Sequence, residues 1–222
     1  MNFETARTKM VDNQIRTTDV TSHSILSAFL TVPREAFVAD RLKPLAYIDS
    51  DIEVAPAANG QPTRYMMEPS PLAKLLQLAT ITKDDSVLLV GSGEGYAAAI
   101  LALVAGSVVA LECDAALAAQ SAETLAALAA SNVTVVTGSL EQGYGKTAPY
   151  DVIFINGAVE EIPQAVIGQL SEGGRLVAVE GYGNASRAKV VTRESGVFSE
   201  SYFFNTAVKP LPGFRKAKEF VF

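Results

Sequence analysis

From residue 71 to residue 179 short apolar runs alternate with stretches of helical period, and this alternation limits the fold more than any other feature. The runs 87–90, 107–111, 133–136, 151–155 and 175–179 read as strands. Their continuous apolar character, rather than one-in-two alternation, fits strands covered on both faces. Helical stretches read at 72–78, ahead of the first run, and at 96–104, 115–130 and 162–170 between later ones, the third alanine-rich and the last closed by Gly173-Gly174. Parallel strands need long crossovers, and helices supply them, so the expected core is a doubly wound α/β sheet. The tail departs from this rhythm. Segments 189–192 and 197–204, joined by Glu194-Ser195-Gly196, read as an antiparallel hairpin.

Ahead of the core, Phe3, Ala6, Met10, Val11 and Ile15 fall at helical spacing. A second short helix, capped by Asp19 or Thr21, is expected to bury Ile25, Leu26, Phe29 and Leu30. Pro33 marks a bend or a helix start. Pro56, Pro62, Pro69 and Pro71, with Asn59-Gly60, predict an extended or looped segment with no regular element over 55–71. The expected organisation is one domain, with residues 1–70 as a helical and looped extension and 71–222 as the ligand-binding core.

Composition narrows the chemistry. The 222 residues contain one Cys, one His and no Trp. An intrachain disulfide is impossible, a Cys/His zinc site is disfavoured, and a hydrolytic triad would have to use His23. No metal is expected. The net charge of −6, from 18 basic and 24 acidic residues, argues against nucleic acid as the main partner. The first residues carry charge and no apolar signal region, and no run of roughly 18 apolar residues free of charge occurs. No membrane association is expected, and cytoplasm is the expected compartment. Composition leaves the oligomeric state open between monomer and dimer.

The sharpest local pattern is Val87-Leu88-Leu89-Val90-Gly91-Ser92-Gly93-Glu94-Gly95-Tyr96. A buried strand ends, three glycines follow at alternate positions, and a helix begins. Such a loop lets a ligand reach the backbone and the free N–H groups of a helix start. Glu112 follows the next strand, roughly 20 positions after Gly91, where an acid accepts both hydroxyls of a ribose. Together these point to a nucleoside; a tight strand–helix turn without ligand is the other reading. A pyrophosphate cofactor requires the third glycine of G-x-G-x-x-G, absent here, and would be repelled by Glu94. S-adenosyl-L-methionine carries an ammonium and a sulfonium instead, and an acid in the loop suits it.

The chain resembles the protein-L-isoaspartate O-methyltransferase family. The matching segments are Met10-Val11-Asp12-Asn13-Gln14-Ile15, Val32-Pro33-Arg34-Glu35-Ala36-Phe37-Val38, Ala46-Tyr47-Ile48-Asp49 and Gly60-Gln61. Then follow the glycine loop, Leu111-Glu112, Tyr150-Asp151-Val152-Ile153, Ile162-Pro163, the 170–177 segment and Pro210-Leu211. The resemblance implies a Rossmann-like class I methyltransferase fold, S-adenosyl-L-methionine as methyl donor, and a protein or peptide carboxylate, that of an L-isoaspartyl residue, as acceptor. It implies that Gly91, Gly93 and Gly95 lie against the methionine part and Glu112 on the ribose; with them Ser92 and Glu94 of the loop are read as cofactor-binding, and Cys113, next to Glu112, as a small apolar wall near the adenosine. It places Gly138, Ser139 and Leu140 at the adenine edge and Asn156 near the methyl group.

The sequence also leaves the family pattern at ligand positions. After Gly-Gln the family has Thr-Ile-Ser; here Pro62-Thr63-Arg64 stands, with Arg64 at the serine position and the Thr63 hydroxyl one residue away. Thr63 and Arg64 are therefore the candidate catalytic residues. Arg64 reads as an anchor for the acceptor carboxylate, as a plug in the acceptor pocket, or as an exposed loop residue. The family's Gly-Asp-Gly is Gly138-Ser139-Leu140, and its acid beneath the loop is replaced by Val90. Three readings stay open at this point: an isoaspartyl methyltransferase, a methyltransferase with a changed acceptor, and a non-catalytic relative acting through protein contacts. Tyr65-Met66-Met67 read either as a pocket wall or as packing. His23 and the basic Lys209, Arg215, Lys216 and Lys218 read as surface groups.

Overall fold

Short strands that are apolar on every face have to be covered on both sides, and the chain supplies helices for each side. The computed structural model describes residues 2–57 and 62–214. Its elements are α1 (Phe3–Met10), α2 (His23–Thr31), β1 (Ile52–Ala55), β2 (Arg64–Met66), α3 (Pro69–Leu78), β3 (Ser86–Val90), α4 (Tyr96–Val104) and β4 (Ser107–Glu112). They continue as α5 (Ala115–Ala127), β5 (Val133–Thr137), β6 (Tyr150–Val159), α6 (Gln164–Ile167), β7 (Leu170–Glu180), β8 (Arg187–Glu194) and β9 (Val197–Asn205). A 7-stranded sheet runs in the order β5-β4-β3-β6-β7-β8-β9. The ladders from β5 to β7 are parallel, and those from β7 to β9 are antiparallel. This is the doubly wound Rossmann-like arrangement with a C-terminal hairpin that the alternation predicts. The hairpin turns at Ser195-Gly196, both at positive φ (51° and 76°), which matches the twist of the strands. None of the helices among the described residues is long and apolar enough to cross a membrane.

The two faces of β3 feed two cores. Val87 and Leu89 pack with the N-terminal helices and α4; Leu88 and Val90 pack with Leu111, Leu140, Val166 and Leu211. Each side chain is at most 7% exposed. That two-sided burial explains why the strand shows no polar alternation.

Several expectations need correction. The N-terminal helix leaves α geometry after Met10 and continues as a wider π turn over Val11–Ile15. Helix α2 is capped by the Ser22 side chain, which accepts from the Ile25 N–H, rather than by Asp19 or Thr21. Leu30 is 37% exposed rather than buried. The prolines do not exclude regular structure from 55–71. Strand β2 fits between Pro62 and Pro69, and α3 begins at Pro69, where the missing N–H costs nothing. The helix expected at 162–170 is reduced to α6, because Leu170 already pairs with Tyr150 in the sheet. Gly173-Gly174 therefore lies inside β7 and does not end a helix. Gly60-Gln61 and the basic residues Arg215, Lys216 and Lys218 lie outside the described residues.

Arg34 fastens the N-terminal region to the core. It opens a 3₁₀ turn (Arg34–Phe37) and is 0% exposed. Its Nε donates to the Ala46 carbonyl at 2.8 Å and its Nη2 to the Met67 carbonyl at 2.8 Å. Its guanidinium carbon lies 4.7 Å from the centre of the Tyr96 ring, at the start of α4. One side chain thus joins two loop carbonyls to the helix that follows the glycine loop. Arg34→Met keeps most of the volume and strands both carbonyls, each costing about 1–3 kcal/mol. Denaturant unfolding should show a loss of several kcal/mol, of which Arg34→Lys restores only part, since an ammonium does not reproduce the fork. A loss below about 1 kcal/mol for Arg34→Met would contradict this role.

Candidate nucleoside site at the carboxyl ends of the strands

Strand order reverses direction between β3 and β6, and a doubly wound sheet opens a crevice at such a switch point. The loops leaving β3, β4, β5 and β6 carry the residues singled out from sequence. After Val90 the chain turns sharply. The N–H groups of Gly91 and Ser92 both reach the Leu111 carbonyl, at 2.9 and 3.0 Å, which ties the loop to the end of β4. Gly91 and Gly95 have φ of +79° and +98°. A methyl on Gly95 would collide with Ser121 of α5, and one on Gly91 would meet Leu211 at 2.7 Å. Gly93 (φ +57°) has nothing within 4 Å of where its Cβ would stand, so the middle of the loop faces open space.

Glu112 is the centre of the site and is 0% exposed. Its Oε2 accepts from the Gly93 N–H at 2.7 Å and from Arg64 Nη2 at 2.9 Å. Its Oε1 accepts from the N–H groups of Cys113 and Asp114, at 2.9 and 3.1 Å, and from Arg64 Nη1. Burial alone would raise the carboxyl pKa. The Arg64 hydrogen bonds and charge, with the Asp114 and Gly93 N–H groups, outweigh burial and hold it below the usual carboxylate range.

Arg64 is 6% exposed, which overturns the exposed-loop reading. Its guanidinium grips Glu112 in a bidentate pair rather than standing free in an acceptor pocket. Thr63, beside it, is half-buried. Met66 and Met67 are 1% and 5% exposed within the main core, so they serve as packing; Tyr65 lies 5.1 Å under Lys209 Nζ. The Cys113 Sγ stands 3.6 Å from Arg64 Nη1, and burial with the nearby Glu112 charge pushes its pKa up to about 11, so the thiol stays protonated at neutral pH. The Gly138 N–H donates to the Glu112 carbonyl at 3.0 Å, placing the loop after β5 beside this centre. Ser139 precedes a 3₁₀ turn (Leu140–Gln142), and Leu140, 1% exposed, points into the second core. Asn156 Nδ2 donates to the Gly91 carbonyl at 3.1 Å. Asn156 Oδ1 and Ser92 Oγ are buried without a partner among the described residues.

The C-terminal segment is the part that pattern reading missed. Leu211 N–H donates to the Ala158 carbonyl and the Ala158 N–H to the Lys209 carbonyl, both at 2.9 Å. This lays Leu211 against Gly91 and Gly157 as a wall of the crevice. The only sequence signal for it is Pro210-Leu211 itself.

Glu94, expected along a ligand ammonium, sits buried in the field of the Arg34 and Arg64 charges. It lines a cavity of about 130 Å³ with Phe37, Arg41, Val54, Pro56 and Gln120. It is 4% exposed, and its Oε2 has no partner among the described residues. Burial raises its pKa to about 7, against the lowering pull of backbone N–H groups and of the Arg34 and Arg64 charges. A carboxyl raised in the folded state stabilises fully below its unfolded pKa, about 4.3, and loses that contribution as pH rises through about 7. Glu94→Gln removes this dependence. In melting experiments its advantage over the parent should widen from pH 5 to pH 8; a constant difference across that range would contradict the assignment.

The sequence profile described as Protein-L-isoaspartate(D-aspartate) O-methyltransferase (PCMT) matches residues 5–212. A protein-L-isoaspartate O-methyltransferase of Koribacter versatilis is 36% identical over 211 residues, covering 95% of this chain and 92% of that protein. One from Methanoculleus marisnigri is 38% identical over 192 residues, covering 86% and 84%. A solved protein-L-isoaspartate O-methyltransferase superposes with a TM-score of 0.81 at 26% identity, over 93% of this chain and 66% of that one. A candidate member from Plasmodium falciparum, solved with S-adenosyl-L-homocysteine, has the same fold (TM-score 0.77, 18% identity, 95% and 98% covered). By profile match and by identity across most of its length, the chain belongs to the protein-L-isoaspartate(D-aspartate) O-methyltransferase family.

Proposed function

We propose that this chain is an S-adenosyl-L-methionine-dependent methyltransferase that esterifies the carboxylate of isoaspartyl residues in damaged proteins. The observation that carries the reading is the Glu112 carboxylate fixed beside the glycine loop, with space left where Gly93 has no Cβ. A carboxylate at the end of the second parallel strand is the group that accepts a ribose diol. The orphaned Asn156 Oδ1 and Ser92 Oγ fit a ligand that brings donors, as the ammonium of a methionine moiety does. Gly91, Gly93 and Gly95 are the residues assigned to that moiety, and Gly138, Ser139 and Cys113 to the adenosine side. Leu140 would contribute through its backbone and Glu94 only indirectly, given where their side chains lie.

The donor supplies an electrophilic methyl on a sulfonium. When bound, it would give that methyl to an acceptor carboxylate oxygen, the C–O bond forming as the S–C bond breaks and the sulfur leaving as a neutral thioether. The acceptor is already ionised at neutral pH, so no side chain has to remove a proton. The protein's task is to hold the reactants in line and dry, which is catalysis by proximity. The inert Cys113 and the exposed His23 are consistent with a reaction that needs neither a nucleophile nor a base. Arg64, lodged on Glu112 where the family has a serine, favours a second reading in which the acceptor has changed.

Labelled S-adenosyl-L-methionine offered with an isoaspartyl peptide and its aspartyl twin separates the two. Label on the isoaspartyl peptide alone is expected. Calorimetric binding of S-adenosyl-L-homocysteine with no transfer to that peptide would overturn isoaspartate as acceptor.

A further inference from the structure

Glu112 has no capacity left for a ribose. A carboxylate offers about four lone-pair sites. Here Arg64 takes one on each oxygen, Gly93 one on Oε2, and the Cys113 and Asp114 N–H groups share Oε1, with the Cys113 thiol at 3.4 Å as a weak further donor. Two hydroxyl donors cannot be added while the guanidinium stays. Of these partners only Arg64 can leave. The three N–H donors belong to backbone that forms the end of β4 and the glycine loop, and they keep the carboxylate in place without it.

We propose that Arg64 is a built-in competitor for the cofactor's ribose, holding Glu112 in the ligand-free protein and swinging off it when the nucleoside binds. The proposal rests on the assignment of Glu112 to the ribose made above. The element that carries Arg64 suits such movement. Strand β2 has three residues and belongs to a 2-stranded sheet with β1, separate from the main sheet. Met66 pairs in register with Ile52, but the ladder is irregular between Glu53 and Ala55, next to the Ala55–Arg64 pair. Met66, 1% exposed, anchors the strand in the core, so Arg64 can move with its own end of the strand while the other end stays fixed.

The pair also makes binding conditional. A ligand that needs the open form has its affinity divided by the fraction of molecules open, so a mostly closed pair lowers affinity in proportion. The residue thereby sets how much S-adenosyl-L-methionine is required before the site fills. It acts on Glu112 rather than on the acceptor carboxylate.

Arg64→Ser, which installs the family's residue type, is compared with the parent by calorimetry using S-adenosyl-L-homocysteine and by ligand-free melting. The expected result has opposite signs: at least a tenfold gain in affinity together with a lower melting temperature. A merely structural arginine would lower both. Arg64→Lys, with one contact in place of two, is expected to fall between, and it serves if the serine variant fails to fold. Equal or weaker binding by the variants overturns the proposal, and so does absence of binding in every form. A crystal structure of the parent with S-adenosyl-L-homocysteine should show Arg64 off Glu112; a complex with the pair intact also overturns it. The outcome is separate from acceptor identity. A gain in affinity without isoaspartyl methylation leaves the gate standing and removes the acceptor assignment, and the converse does the reverse.

Discussion

A carboxylate withdrawn from water must be fully hydrogen-bonded or it will not stay ionised, and Glu112 imposes that demand on everything around it. Meeting it fixes the glycine loop, because Gly93 has to aim its N–H at Oε2. It fixes the turn after β4, where Cys113 and Asp114 aim theirs at Oε1. It also draws β2 in from the N-terminal region, because the remaining lone pairs go to Arg64. One buried charge therefore joins three segments distant in the chain. The same logic governs Arg34, whose buried guanidinium takes the Ala46 and Met67 carbonyls and settles against Tyr96. These two centres hold the N-terminal region to the open end of the sheet.

The difference between the two arginines is informative. Arg34 finds backbone carbonyls and an aromatic face, neutral partners that belong to the fold. Arg64 finds a buried carboxylate, the group proposed above to take the ribose. Buried ion pairs gain little net stability because desolvation offsets attraction. Such a pair can therefore be exchanged for hydrogen bonds to a ligand at little net cost, whereas removing one partner alone strands the other charge. Glu94, buried with an unpaired oxygen in the field of both arginines, extends the polarity of this region into a small cavity.

Much of the fold was legible because β3, β4 and β6 are mostly buried apolar runs, with helices between the successive strands. Burial on both faces of these central strands requires helices above and below the sheet; the edge strand β5 is only half-buried. The hairpin of β8 and β9 was legible from Ser195-Gly196. The failures lie where local rules compete with tertiary partners. The four prolines of 55–71 disfavour regular structure, yet the Ile52–Met66 pairing stabilises a short strand between them. Residues 162–170 have helical character, but Tyr150 recruits Leu170 into the sheet and leaves only a short helix. Among the site residues, the glycines and Glu112 carried a spacing visible in the sequence, a turn after one strand and an acid after the next. Leu211 carried none, because its contact with Gly91 depends on how the far end of the chain returns.

The sequence by itself determined the parallel sheet, the glycine turn at its switch point, the acid at the next strand end, and membership in a methyltransferase family. The first three follow from burial and from local backbone requirements, which act between residues close in the chain, and the family from the order of its motif segments. Only the tertiary structure decided what Arg64 does. Arg64 and Glu112 are 48 residues apart, and a bidentate pair needs both placed to within a fraction of an ångström. No pattern of residue types encodes a distance of that kind; it exists only once β2 has been packed against the end of β4.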